Sequence, residues 1–240
     1  MTLTLHEHPF ASYCWKALIA LYERDVAFEP HVIADDADRA RLAELWPMAS
    51  IPVLVDDAAG LTLPESTTII EYLDGLGDAP RLVPADPAAA LQARLWDRVL
   101  DGHVMTPMQK IVGDSLRPDG RRDPEGVAQA RAALDRAYDV LDEHLTGGGW
   151  AAGPVFTLAD CAAAPALFYA RVVHRWDEER LAALTRYFAE VTARPSVARV
   201  IDEARPYRPL FPLPWPDHAP QQRRRGAAGR TAVCAASQPA

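Results

Sequence analysis

A proline-rich stretch at residues 79–87 divides the chain into two halves with different hydrophobic patterns. Before it, short alternating apolar runs typical of strands are interleaved with runs that repeat at helical spacing. After it, the strand-like alternation largely disappears, and apolar residues recur at helical intervals. We therefore predict an α/β domain over residues 1–78, a linker over residues 79–87 and an all-helical domain over residues 88–205.

The first half predicts the order strand, helix, strand, short helix, two strands and helix. The alternation around Leu3 predicts the first strand, and helical spacing begins at Ser12. A second strand is predicted over residues 26–33, and Pro30 confines it to a sheet edge because proline donates no ladder hydrogen bond. The next two strands are close enough for a hairpin, and Ser66 is predicted to cap the last helix.

The second half predicts a helical bundle and a tail. One long helix is predicted to run from about residue 91 to residue 112, with a bend near Pro107. Thr157 and Asp160 form a capping-box pattern before a helix that is apolar on most faces and therefore belongs at the centre of the bundle. Residues 206–240 begin as a proline- and aromatic-rich segment, predicted to lie extended on the surface or over a cleft. Their basic end is predicted to be disordered.

The composition excludes several classes of partner. A formal net charge of -8 argues against a nucleic-acid binder, because phosphate neutralisation needs a basic face. No apolar run reaches about 18 residues and the N-terminus lacks a secretory pattern, so no membrane partner is expected. Cys14, Cys161 and Cys234 are widely separated, which favours a reducing compartment, and we expect the cytoplasm. His6 and His8 lack a third ligand at suitable spacing, so no metal site is predicted.

Four short motifs follow one another along the chain at characteristic intervals. They are residues 8–16 after the first strand, Ile51-Pro52-Val53-Leu54, Pro64-Glu65-Ser66 and Phe156-Thr157-Leu158-Ala159-Asp160. Each motif alone is weak, but together they resemble the cytosolic glutathione transferase superfamily over residues 1 to about 210. The resemblance implies a thioredoxin-like first domain, an all-α second domain, glutathione as co-substrate and a homodimer.

The resemblance also implies which residues hold glutathione. Pro52 would match the family's cis-proline, which lets Ile51 exchange backbone hydrogen bonds with the cysteinyl part. Glu65 and Ser66 would hold the γ-glutamyl end. Independently of the family, a helix N-terminus at Ser66 favours a carboxylate, and the Glu65 carboxylate can pair with an ammonium group.

One departure from the family pattern concerns the glycyl end of glutathione. Family members often read Gly-Lys-Val-Pro where this chain reads Ala49-Ser50-Ile51-Pro52, so Ser50 replaces the lysine that commonly reaches the glycyl carboxylate. Ser50 is still expected to border the glutathione site. Binding is expected to be weaker, or to be completed by another basic residue such as Lys16 or Arg39.

Three consecutive side chains are candidates to activate the glutathione sulfur. A donor is needed because an ordinary thiol pKa of about 8.5 leaves only a few per cent ionised at neutral pH. Counting back from Lys16, Ser12 lies where serine-type members carry their hydroxyl. Cys14 is the rival, as in thiol-transferase members, although it lies further into the helix. Tyr13 is the third, although tyrosine-type members place theirs before the turn.

The resemblance implies a glutathione transferase in which Ser12 stabilises the thiolate and a hydrophobic electrophile is conjugated. The alternatives are a glutathione-dependent reductase, isomerase or dehalogenase that uses Cys14, and a non-catalytic interaction protein with the same fold. The electrophile is expected between the domains, with residues 211–215 over the cleft. The expected lining is Phe10, His103, Met105, Met108 and Ile111.

Overall fold

The computed structural model describes residues 3–215, so the predicted disorder at the basic end of the chain lies outside the described residues. A four-stranded sheet forms the first part, with strands β1 (Leu3–Glu7), β2 (Glu29–Val32), β3 (Val53–Asp56) and β4 (Leu61–Pro64). The strand order is β2-β1-β3-β4; β1 runs parallel to β2, whereas β1 with β3 and β3 with β4 are antiparallel. The predicted edge position of the strand that contains Pro30 is confirmed.

Helices pack with the sheet in two apolar clusters. They are α1 (Ser12–Glu23), α2 (Asp36–Leu45) and α3 (Ser66–Leu73). The helices α1 and α3 contribute Ile19 and Ile70 to the main core, which also holds Leu5 of β1. Leu42 of α2 belongs to a smaller cluster with Val53. Together these elements form the predicted thioredoxin-like α/β arrangement.

The second part is helical, as predicted. Its helices are α4 (Pro87–Val99), α5 (Thr106–Ser115), α6 (Pro124–His144), α7 (Leu158–Val173), α8 (Ala182–Ala193) and α9 (Pro195–Ala204). The predicted long helix is α4 and α5 joined by a π-helical segment, Leu100–Met105, which ends shortly before Pro107. No helix within residues 3–215 is long and apolar enough to cross a membrane.

Helix α7 is buried along most of its length and contacts both α1 and α4, so one core runs through both parts of the chain. The predicted capping box at its start is confirmed. The Asp160 carboxylate accepts from the backbone N–H of Thr157 at 2.8 Å, and the Thr157 hydroxyl accepts from the N–H of Ala159 at 3.3 Å. Asp160 also accepts from the Tyr187 hydroxyl at 2.7 Å, which ties α7 to α8.

Glu7 is an acidic residue at the end of β1 that is only 2% exposed. Its Oε2 is buried and has no hydrogen-bond partner among the residues described. Burial, with a smaller contribution from the charge of Glu203, raises the pKa of Glu7 to about 7. The folded chain therefore holds a proton on Glu7 more tightly than the unfolded chain does.

This difference predicts a loss of stability with rising pH. The contribution of protonated Glu7 is fully present below the unfolded pKa, about 4.5, and is lost as the pH rises to about 7. Glu7→Gln removes the titration, so wild type should lose roughly 2–3 kcal/mol relative to this variant between pH 4 and pH 8. Urea unfolding at both pH values measures the difference, with exposed Glu29→Gln as the control. Identical pH profiles for wild type and Glu7→Gln would contradict the prediction.

Candidate functional site

Two neighbouring cavities lie where the sheet part meets the helical part. The polar cavity has a volume of about 530 Å³ and is bordered by the start of α3 and the end of α4. The apolar cavity has a volume of about 610 Å³ and is bordered by α5, α7 and the segment after α9. Tyr13, Ser50 and Ile51 line both cavities, so groups bound in the two cavities would meet there.

The loop before β3 forms one wall of the polar cavity. The Ile51-Pro52 peptide bond is cis, as the family resemblance implied for Pro52. Ile51 is half-buried and Pro52 is buried, and β3 begins directly after them. The hydroxyl of Ser50 accepts a hydrogen bond from the indole N–H of Trp46 at 3.1 Å.

The first turn of α3 forms another wall. The prediction that Ser66 caps this helix is wrong, because the N-cap position belongs to Glu65, whose φ is 70°, and Ser66 is the first helical residue. A positive φ is uncommon for residues other than glycine, so a simple capping pattern does not reveal it. No side chain caps this turn within the described part of the chain. Its N–H groups and partial positive charge therefore face a cavity that Ser66, Thr67 and Thr68 line.

A buried ion-pair network lies beside the polar cavity. Lys16 has no exposed surface, and its ammonium donates to Asp97 Oδ1 and Asp101 Oδ2, each at 2.7 Å, and to the Thr67 hydroxyl at 3.2 Å. The expectation that Lys16 completes glutathione binding is therefore wrong, because all three of its N–H groups are engaged inside the protein. The sequence signal that could have indicated this network is the spacing of Asp97 and Asp101, four residues apart next to buried Trp96 and Leu100.

Arg39 is the other basic residue considered for the glycyl end. It is exposed and borders a third, smaller cavity of about 380 Å³ that is also lined by His8, Ala49 and Ile51. Since Ile51 borders this cavity and the polar cavity alike, the two adjoin at the cis peptide. Arg39 is therefore still a candidate to bind the glycyl carboxylate of glutathione, whose charge the Ser50 hydroxyl cannot neutralise.

The three candidate catalytic side chains occupy different environments at the start of α1. Ser12 is half-buried and lines the apolar cavity beside the residues that both cavities share. Tyr13 lines both cavities; burial, followed by the charge of Asp101, raises the pKa of its phenol to about 12, so it is a neutral donor at pH 7. Cys14 has no exposed surface and lines neither cavity, and burial raises the pKa of its thiol strongly.

The predicted lining of the apolar cavity needs correction. Phe10 and Met108 line it, but Met105 and Ile111 are buried in the main core, and His103 is exposed and does not border the cavity. The lining residues of α5 are instead Met108, Gln109, Val112 and Gly113. Gln109, Val112 and Gly113 follow Met108 by one, four and five positions, so the four residues form one stripe along the helix. Met105 lies outside this stripe, in the π-helical segment.

The segment after α9 borders the apolar cavity, as predicted, but its first residues form a 3-10 helix, Arg205–Leu210, instead of the predicted extended segment. Leu210, Phe211 and Pro212 line the cavity. The Phe211 ring contacts the Phe10 ring at a centroid distance of 5.9 Å, and Trp215 lies 6.1 Å from Phe10. These ring contacts hold the segment over the cleft as far as Trp215.

No group of three or more metal-binding side chains occurs within residues 3–215.

Comparisons with known proteins place these features in a family. The family model described as glutathione S-transferase, N-terminal domain, matches residues 5–81, and the model described as glutathione S-transferase, C-terminal domain, matches residues 124–190.

Two relatives and one solved structure show the extent of the similarity. A stringent starvation protein A homolog of Coxiella burnetii is 30% identical over 69% of this chain and 75% of that protein. A probable maleylacetoacetate isomerase of Vibrio cholerae is 28% identical over 86% of this chain and 98% of that protein. The structure of a glutathione S-transferase from Methylobacillus flagellatus KT with glutathione bound has a TM-score of 0.76 and 25% identity, covering 82% of this chain and 98% of that chain.

The two family models match both parts of the chain in the same order as the sheet and the helical bundle, and the relatives extend across both parts. The chain therefore belongs to the cytosolic glutathione transferase superfamily.

Proposed function

We propose that this protein is a glutathione transferase that binds glutathione in the polar cavity and conjugates it to a hydrophobic electrophile in the apolar cavity. The observation that carries the proposal is the pair of adjoining cavities with shared walls at Tyr13, Ser50 and Ile51. A tripeptide in one cavity would present its sulfur to a substrate in the other. The relative from Methylobacillus flagellatus KT, solved with glutathione bound, supports glutathione as the co-substrate.

The proposed orientation of glutathione follows the walls of the polar cavity. The γ-glutamyl carboxylate meets the N-terminus of α3 at Ser66, where N–H groups and the helix dipole favour a negative charge. Glu65 borders the same end of the polar cavity, and its carboxylate attracts the ammonium group of the γ-glutamyl part. The cysteinyl backbone pairs with Ile51 beside Pro52, and the glycyl carboxylate extends towards Arg39, the basic side chain of the adjoining cavity.

The proposed chemistry begins with loss of the thiol proton of glutathione to solvent. Ser12 donates its hydroxyl hydrogen to the resulting thiolate, and the N-terminus of α1 adds a favourable partial charge. Tyr13 is a second neutral donor next to it. The thiolate then forms a carbon–sulfur bond with the electrophile, and the leaving group departs with the electron pair of its broken bond.

The apolar cavity indicates a neutral substrate. Within the described residues its lining carries no charged side chain, and Gln109 supplies its one carboxamide. Aromatic and thioether groups such as Phe10 and Met108 offer an adaptable apolar surface.

The residue that donates a hydrogen bond to the glutathione sulfur is tested by comparing Ser12→Ala with Cys14→Ala. Ser12→Ala should lower kcat/KM for a generic aryl halide about 100-fold, because it removes one hydrogen bond to a developing charge. It should also raise the pKa of bound glutathione towards its free value, as measured by thiolate absorbance against pH. Cys14→Ala should change neither quantity, because its side chain lines neither cavity. The proposal fails if Ser12→Ala retains full conjugation while Cys14→Ala abolishes glutathione-dependent thiol exchange.

The segment over the apolar cavity is tested by Phe211→Ala. Loss of the Phe211 ring should raise KM for the electrophile roughly three- to tenfold and leave KM for glutathione unchanged, since this ring borders only the apolar cavity. Val155→Ala, at an exposed position that lines neither cavity, is the matched control. A tail-truncated or Phe211→Ala protein with unchanged constants for both substrates would contradict this role.

We also propose a homodimer through the outer face of α4. Leu91 and Leu95 lie one turn apart on this helix and are 64% and 47% exposed, beside the Arg94–Glu71 ion pair. A second copy is the proposed occupant, in line with the family. Leu95→Arg should convert dimer to monomer in light scattering, whereas Val140→Arg, at an exposed position of α6, should not. A wild type that is monomeric at micromolar concentration would refute the dimer.

Two competing proposals have specific support. A non-catalytic interaction protein is favoured by the replacement of the family lysine by Ser50. An isomerase is favoured by the relative from Vibrio cholerae. Absence of glutathione binding at millimolar concentration would favour the first. Binding without conjugation of aryl halides but with turnover of an isomerisable substrate would favour the second.

The cytoplasmic location stays a prediction from the separated cysteines.

A further inference from the structure

The third cavity is larger than the glycyl end of glutathione requires. Its volume is about 380 Å³, enough for roughly a dozen water molecules at about 30 Å³ each in the liquid. In the proposed orientation only the glycyl carboxylate extends towards this cavity, and glycine has no side chain to place in it. The cavity therefore has space for a further group beside a bound carboxylate.

Most of the lining of the third cavity is apolar. Ile33 and Leu42 are 8% and 2% exposed and belong, with Val53, to the smaller apolar cluster of the sheet part. The other apolar lining residues are Phe10, Ala11, Ala49 and Ile51. A hydrocarbon side chain placed here would exchange water for apolar contacts, which is favourable roughly in proportion to the area buried.

The charges of the lining indicate where a carboxylate would bind. Arg39 is the one cation among the described lining residues, and its ion pair with Asp36 at 3.5 Å is exposed and therefore weak. His8 is the other polar residue of the lining; burial lowers its pKa, so its ring is uncharged at pH 7. A ligand that combines one carboxylate with an apolar group is complementary to this lining.

The position of the third cavity relates it to the peptide rather than to the electrophile. Ile51 borders both this cavity and the polar cavity, and it is the proposed backbone partner of the cysteinyl residue. The residue that follows cysteine in the peptide therefore extends towards the third cavity. Phe10 and Ala11 also border the apolar cavity, but a neutral electrophile would gain nothing from the charge of Arg39.

We propose that the third cavity is a subsite for an apolar side chain on the C-terminal residue of the thiol peptide. This rests on the proposed function and deepens it by naming a substrate class. The class is tripeptides of the form γ-glutamyl-cysteinyl-X, in which X is an aliphatic residue such as leucine. The terminal carboxylate pairs with Arg39, and the side chain of X packs on Ile33 and Leu42.

The test compares glutathione with γ-glutamyl-cysteinyl-leucine by isothermal titration calorimetry on the full chain. Wild type should bind the leucyl peptide about five- to tenfold more tightly, the gain expected when part of a leucine side chain is removed from water. The heat capacity change of binding should also be more negative for the leucyl peptide, because burial of apolar surface has this signature. Equal or weaker binding of the leucyl peptide would overturn the subsite.

Ala49→Leu tests the location of the subsite. Ala49 borders the third cavity and neither of the other two, and its backbone already bears a Cβ at a φ of 50°, so leucine adds only outer carbons. This variant should bring the two affinities within about twofold, because its side chain takes the space of the peptide's leucine. Ala43→Leu, at an exposed position of α2 that lines none of the three cavities, is the matched control and should keep the full preference.

Each further outcome separates the subsite from the proposed function. Full preference for the leucyl peptide in Ala49→Leu would overturn the subsite, and a raised KM for an aryl halide in the same variant would assign the cavity to the electrophile instead. Wild type that prefers the leucyl peptide but conjugates neither peptide to an aryl halide would support the subsite and overturn the proposed function. Wild type that binds neither peptide at millimolar concentration would overturn both.

Discussion

The buried ammonium of Lys16 is the interaction on which the arrangement of both cavities depends. It joins α1 to α3 through Thr67, to α4 through Asp97 and to the π-helical segment through Asp101. Removing the Lys16 ammonium would leave two buried carboxylates without their partner, at a cost of at least about 3–5 kcal/mol. The contact therefore fixes the sheet part against the helical part at the place where the polar cavity opens.

In the proposed reaction, the polar cavity binds glutathione and the apolar cavity binds the electrophile. Around the cis Ile51-Pro52 peptide and the first turn of α3, backbone groups and a helix dipole suit a charged peptide. Around Phe10 and Phe211, aromatic rings line a space suited to a neutral substrate. Ser12 lies beside the residues that join them. This adjacency gives a reason for the serine hydroxyl, rather than the buried thiol of Cys14, to act on the sulfur.

Local patterns in the sequence were sufficient for the fold and for part of the site. Alternation and helical spacing predicted the elements, Pro30 predicted an edge strand, and Thr157 with Asp160 predicted the start of α7, because each depends on neighbouring residues. The pairing of Lys16 with two aspartates more than 80 positions away depends on tertiary packing, as does the positive φ of Glu65. The lining of the apolar cavity was mispredicted for the same reason. The π-helical segment changes which residues of the long helix face the cavity.

A crystal structure of the full chain with glutathione tests the central claim most directly, because it locates the sulfur relative to the three candidate side chains. The account predicts glutathione in the polar cavity, its cysteinyl backbone paired with Ile51 and its sulfur within about 3.5 Å of the Ser12 hydroxyl oxygen. A sulfur held by the Tyr13 hydroxyl, with Ser12 turned away, would contradict the catalytic assignment. Glutathione bound outside the polar cavity would contradict the account as a whole.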